Sequence, residues 1–223
     1  MNKKQLKQSF EEGLITQDQY KEELFKLETT PKPKKKSKKL ATYLTPEEFD
    51  KLIGATKQYH HKIAFLLAFG SGLRLSEIVG GVRDGVGAED IPPLEKNKVD
   101  LKAKSIFIQD AKGGKQRVVP LPKGWKVKMM DYLPLTKAYS NVLSARRSIQ
   151  KAFKDAAKRA GLLEAKPTLH IHSLRHSFGT RLVNQGVSLN QVQMLMGHSN
   201  LATTSVYTHA NPMDALKSYE DKF

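Results

Sequence analysis

The chain has 223 residues, 39% of them hydrophobic and 27% charged, and 38 Lys and Arg against 22 Asp and Glu give a formal net charge of +16. That length holds one large domain with a small appendage and a proper core. The lack of cysteine excludes disulfides and thiolate metal sites and fits a cytoplasmic setting, and with no apolar run near the roughly 18 residues of a membrane span or signal-type segment in MNKKQLKQSF, no membrane partner is expected.

The charge is unevenly spread. Residues 1–28 hold five basic and six acidic side chains, and residues 29–40 hold six lysines, so values of −1 and +6 there leave +11 of the total to the rest. A basic main body associates with polyanions, nucleic acid first.

In chain order, residues 1–28 predict a short helical hairpin. Leu6, Phe10 and Leu14 keep a helical spacing, Gly13 supplies a stop, and Thr16 with Gln19 forms a capping box for a second helix carrying Tyr20, Leu24 and Leu27. TTPKPKKKSKKL, residues 29–40, is proline-spaced and unable to bury anything: a linker. Its lysines, Lys32, Lys34, Lys35, Lys36, Lys38 and Lys39, read either as a solvated tether or as an arm on a phosphate backbone. The globular pattern starts at Ala41. Thr45, Pro46 and Glu48 mark a helix start. HKIAFLLAFGSG is a nearly all-apolar helix central to the core, and LRLSEIV restarts a helix directly after Gly72. Residues 81–98 read as an exposed loop, and KSIFIQDAKGGKQRVVPLP as strand, glycine turn and strand. Helices follow near 124–133, 144–160, 173–185 and 189–196, a short one around 203–207, and a tail helix within 211–223. The fold class is mainly α with one small antiparallel sheet.

HIHSLRHSFGT concentrates the titratable nitrogen. His172 and His176 have the spacing of two metal ligands, but Ser173 stands where an HExxH site needs a glutamate, and Arg175 between them would repel a cation. His176 reads as a core histidine donating to a backbone carbonyl; His170, His60 and His61 read as loop residues. Arginine beside histidine suits a phosphate, since the guanidinium fork matches two phosphate oxygens. A second arginine, Arg74, follows GSG at a helix start, where free N–H groups also favour an anion; the alternative there is a salt bridge to Glu77 one turn on. Lys115 and Arg117, beside the glycine turn, are candidate contacts to a nucleic-acid backbone.

GLRLSE, AKGGKQRVVPLP, HSLRHSFGT, LMGHSN and TTSVYTH stand in the order and approximate spacing of the tyrosine recombinase (phage integrase, Xer-type) catalytic domain. The chain resembles that family from about Leu44 to Pro212. The resemblance implies a catalytic domain over 41–210 followed by the tail helix 211–223. It further implies that Arg74 is the first catalytic arginine and Lys112 the lysine of the β-hairpin. His172 and Arg175 form the HxxR pair, His198 is the second histidine, and Tyr207 is the nucleophile.

The implied function is site-specific recombination, with DNA cleaved and rejoined through a 3′-phosphotyrosine bond, without metal, ATP or other cofactor. Double-stranded DNA is the implied partner, with a homotetramer on two sites and a monomer or weak oligomer when free. The alternatives are a type IB topoisomerase-like nicking and closing enzyme, or a non-cleaving DNA-binding accessory protein. One departure stands out: relatives carry a helical core-binding domain before the catalytic domain, where this sequence has the hairpin and the lysine linker. The linker standing in for that half-clamp, a second protein supplying it, and loose DNA binding all remain open.

Overall fold

The structure, a computed structural model, describes residues 3–29, 42–81, 91–109 and 116–197. They fall into two compact units, one within residues 1–40 and one within 41–223. In the first, α1 (Lys3–Glu11) and α2 (Gln17–Thr29) pack on each other. Gly13 turns the chain at φ +72°, in the left-handed region that ends a helix. The expected capping box is present: the Gln19 N–H donates to Thr16 Oγ1 (3.3 Å) and the Thr16 N–H to Gln19 Oε1 (2.9 Å). The Phe10 and Tyr20 rings stack with centroids 4.9 Å apart.

The second unit opens with α3 (Pro46–Ala55), whose predicted cap also forms: the Glu48 N–H donates to Thr45 Oγ1 and the Thr45 N–H to Glu48 Oε2. Next come α4 (Tyr59–Gly70) and α5 (Leu75–Val79). Three short strands, β1 (Val99–Asp100), β2 (Ser105–Ile108) and β3 (Arg117–Pro120), form one antiparallel sheet in that order. Helices α6 (Val142–Arg159), α7 (Leu162–Ala165), α8 (Ile171–Asn184) and α9 (Leu189–Met196) complete the described part. The apolar α4 is central as expected: Ile63, Ala64, Phe65 and Leu67 are buried, and Phe65 meets Phe153 of α6 edge to face at 5.6 Å. A smaller cluster of Phe178, Leu182, Val187, Val192, Leu195 and Met196 packs α9 onto α8.

Several expectations are corrected. The sheet has a third strand, β1, directly after the 81–98 span and ahead of the two expected strands, because the Val99 side chain is apolar enough to bury opposite Ile106. Residues 127–132 form a 3-10 turn in place of an α-helix over 124–133; Gly124 sits at φ +86°, outside helical space. His60 and His61 are not loop residues. They occupy the first turn of α4, and burial, aided by the charge of His60, pushes the His61 imidazole down to about 4. α8 begins at Ile171, with His170 as its N-cap: the His170 N–H donates to Ser173 Oγ (3.2 Å) and its Nδ1 lies 3.0 Å from the Thr168 carbonyl oxygen. The expected helices at 203–207 and 211–223 lie outside the described residues. Among the described residues, no helix is long and apolar enough to cross a membrane.

The turn between α4 and α5 has little room. Gly72 lies at φ +67°, and a Cβ there would stand 2.4 Å from Cδ1 of the buried Phe178 ring. Gly54, inside α3, has nothing within 4 Å of such an atom. Gly72→Ala should therefore cost about 2–4 kcal/mol of unfolding free energy from left-handed strain and overpacking. Gly54→Ala should leave stability equal or raise it by about 0.5–1 kcal/mol. Denaturant midpoints of the two variants against the parent measure both.

Candidate active site

Two of the predicted arginines enter the same site from separate elements. Arg74 precedes α5, and its backbone N–H and Nη1 donate to the two oxygens of Glu77 one turn on, at 2.7 and 2.8 Å. The salt bridge weighed as an alternative for Arg74 is thus formed, yet it leaves the residue one third exposed (33%), with Nη2 donating to the Gly197 carbonyl oxygen at 2.8 Å. Arg175 comes from the middle of α8. Its Nη1 donates to the Gly72 carbonyl and its Nη2 to the Met196 carbonyl, and Nη1 stands 4.0 Å from Glu77 Oε2.

Glu77 is the common partner. Only 3% exposed, it also receives both Nη atoms of Arg117, at 3.0 Å on Oε1 and 2.7 Å on Oε2. Burial works against its charged form, but the hydrogen bonds and charge of Arg117, the Arg74 backbone N–H and the charge of Arg175 outweigh that and hold the carboxyl below its usual range. Three guanidiniums against one carboxylate leave the cluster two positive charges in excess. Burial first, then the charge of Arg74, lowers Arg175 to about 9, a value at which it stays protonated at neutral pH. An anion at the exposed edge of this cluster would relieve the repulsion.

His172 and Arg175 are three apart on α8 but stand on adjoining strips: Arg175 is buried, and His172 is exposed beside it. Its imidazole lies below the usual range, first from desolvation, which acts on only part of an exposed ring, and then from the charges of His170, Arg175, His176 and Arg146. Each of these effects favours the neutral imidazole, the form able to take a proton. His176 is exposed too, which corrects its reading as a core histidine; the buried strip of α8 passes through Ile171, Leu174, Arg175 and Phe178 instead. Arg117 is likewise corrected. Rather than reaching outward to a nucleic-acid backbone, it is 8% exposed with its donors committed to Glu77 and to the Leu195 carbonyl. Lys112, His198 and Tyr207, with Lys115 and the linker residues Lys32, Lys34, Lys35, Lys36, Lys38 and Lys39, lie outside the described residues. Among the described residues no three His, Asp or Glu side chains stand together as metal ligands would.

Glu77 and Arg117 are the site residues that sequence reasoning missed as a pair. A signal existed for each: Glu77 is the lone charge in LSEIV, and Arg117 falls in step with Val119, on the face of the strand that alternation assigns to the core.

A helical unit with a small antiparallel sheet, holding three arginines around one carboxylate, has the fold of a tyrosine recombinase catalytic domain. Solved structures bear this out: the integrase from mycobacterium phage Brujita superposes with a TM-score of 0.57 at 22% identity, covering 88% of this chain and 63% of that one. XerH site-specific recombinase bound to palindromic difH substrate, in a post-cleavage complex, gives 0.52 at 20%, covering 82% and 51%. Residues 42–213 match the model of the phage integrase family, and the chain belongs to that family. In sequence it is 32% identical over 202 residues to tyrosine recombinase XerA of Thermococcus kodakarensis, an alignment that covers 85% of this chain and 65% of that protein, slightly under two thirds of the relative's length.

The cluster makes a stability prediction. Glu77→Gln leaves three buried or half-buried guanidiniums without their anion and should cost about 3–5 kcal/mol, as breaking a buried ion pair does. Because the folded carboxyl is held below 4.5, its contribution in the parent is whole above that pH and drains away as the pH falls below it. Chemical denaturation from pH 7 down to 3 should show the gap between parent and Glu77→Gln narrowing at the acid end. A constant gap would mean that Glu77 carries no such charge.

Proposed function

We propose that this chain cleaves and rejoins DNA as a site-specific recombinase, through a 3′-phosphotyrosine bond on Tyr207 and without metal or ATP. The observation that carries the reading is the pair Arg74 and Arg175, drawn from distant parts of the sequence to one carboxylate that cannot neutralise both. Forked donors in a partly desolvated, net positive setting stabilise the charge that builds on non-bridging phosphate oxygens in the transition state. They also favour phenolate, which matters because a phenol with a pKa near 10 attacks poorly at neutral pH. A neutral His172 at the edge of the cluster serves to take the phenolic proton, and His198 to hydrogen-bond a phosphate oxygen. Lys112 gives a proton to the departing 5′ oxygen. The phosphotyrosine bond conserves the energy of the cleaved linkage, so rejoining needs no nucleotide.

The substrate is double-stranded DNA, in keeping with the basic charge and with XerH, which shares the fold and was solved on its difH site. The working form is a homotetramer on two DNA sites, assembled from monomers or weak oligomers in the cytoplasm.

Incubation with nicked suicide duplexes taken from DNA flanking the gene tests the reading. The parent should form a covalent, protease-sensitive adduct that chelator does not affect. Tyr207→Phe should form none while still binding DNA, and Arg74→Lys and Arg175→Lys should each slow adduct formation by about two powers of ten or more. Activity lost in EDTA and restored by magnesium, or an adduct surviving Tyr207→Phe, would overturn it. Supercoil relaxation with no partner duplex would mark the topoisomerase-like alternative.

The lysines of residues 29–40 act in this reading as an arm on the phosphate backbone. Each phosphate contact adds about 0.9 to the slope of log affinity against log salt. Deleting residues 1–40 should weaken binding to every sequence and flatten that slope; an unchanged slope would make the segment a tether.

A further inference from the structure

β2 and β3 pair with Ile106 opposite Val119 and Ile108 opposite Arg117. Directly opposed residues of antiparallel strands share a face, and Ile106, Ile108 and Val119 are all buried. The register therefore drives a guanidinium into the interior, where every donor needs a partner. Arg117 finds three acceptors: both oxygens of Glu77, and the Leu195 carbonyl, to which Nε donates at 3.0 Å.

That third bond completes a pattern. The last carbonyls of a helix have no partner within it, and at the end of α9 three successive ones are taken by three different arginines. Leu195 O accepts from Arg117, Met196 O from Arg175 and Gly197 O from Arg74. The helix C-terminus carries the negative end of its dipole, so cations suit it. The approach is close enough to require glycine: Gly197 lies at φ +61°, and a Cβ there would stand 3.0 Å from Arg117 Nη1. The residue that follows in sequence is His198.

We propose that Arg117 is a positioning residue for DNA strand cleavage: it ties β3, the Glu77 carboxylate and the last turn of α9 into one unit. By doing so it sets where Arg74 and Arg175 stand and from what point the chain continues to His198. This rests on the recombinase reading above. Lysine cannot replace it, because a single ammonium on a flexible stem cannot bind both Glu77 oxygens in a fork and also reach Leu195 O. Without Arg117 the buried carboxylate would draw Arg74 and Arg175 toward itself and away from a phosphate.

The test uses the full chain with Arg117→Lys and Arg117→Met, the nicked suicide duplexes, and amide hydrogen exchange. For Arg117→Met at saturating DNA, adduct formation should slow by about ten- to a hundredfold, the effect of a small misplacement, with DNA affinity changed by less than about threefold. The acid limb of its pH–rate profile should move to higher pH, since Glu77 keeps its burial and loses its main cation. Arg117→Lys should be slow as well but keep the parent's acid limb. Exchange at the Leu195 and Met196 amides should quicken in both variants while α4 and α6 stay protected. Should Arg117→Met fail to fold, the Arg117→Lys rate and exchange decide. A parent-like rate per folded molecule, or exchange rising equally in α4 and α6, would reduce Arg117 to a stability residue. A parent that forms no adduct on any duplex sinks the recombinase reading, and with it the claim on cleavage, while the exchange arm still decides whether Arg117 holds α9.

Discussion

A carboxylate as buried as Glu77 stays charged only if cations surround it, and the second unit is organised so that they do. Arg74 reaches it from the same helix start, Arg117 from a strand and Arg175 from α8. Each guanidinium then uses its remaining donors on a backbone carbonyl: Gly72 O, Leu195 O, Met196 O or Gly197 O. The turn after α4, the sheet and the end of α9 are thereby joined through polar groups. An isolated buried charge is costly, and a half-satisfied network is worse than none. Within this one Arg117, Arg175 and Glu77 are buried and Arg74 alone keeps an exposed edge.

The surplus of positive charge follows from the same arrangement. Were one of the three guanidiniums absent, the cluster would be closer to neutral and would attract a phosphate less. With all three present, burial first and then the charges of Arg74 and Arg117 lower Arg175 to about 9 without discharging it. A cluster of this kind carries its positive charge in the fold itself, before any anion arrives. The apolar packing serves the same end: Phe178 closes over Gly72 while the cluster of Leu182, Val192, Leu195 and Met196 holds α9 against α8.

Local signals in the sequence determined much of this protein. The cap at Thr45, the cap at Thr16, the stop at Gly13, the apolar run of α4 and the alternation of β2 all depend on bonds or spacings within about four residues, and each element formed where those signals stood. The ordered motif blocks assigned the family, and the charge balance pointed to a polyanion. Arg74 and Arg175 stood out in the sequence as candidate phosphate ligands because a guanidinium fork beside a helix start or a histidine matches two phosphate oxygens.

What the tertiary structure alone decided is which groups meet. His60 and His61 looked like loop residues because nothing in their neighbours shows that α4 begins at Tyr59, two residues ahead of the apolar run HKIAFLLAFGSG. Arg117 looked like a surface cation because composition around a glycine turn is polar, while its true direction follows from pairing with Ile108 across the sheet. Glu77 looked like the partner of one arginine and is the partner of three. The residues that share it come from a helix start, a strand and a second helix far apart in the chain. No local pattern records that they converge, because convergence depends on how those elements pack around a common core.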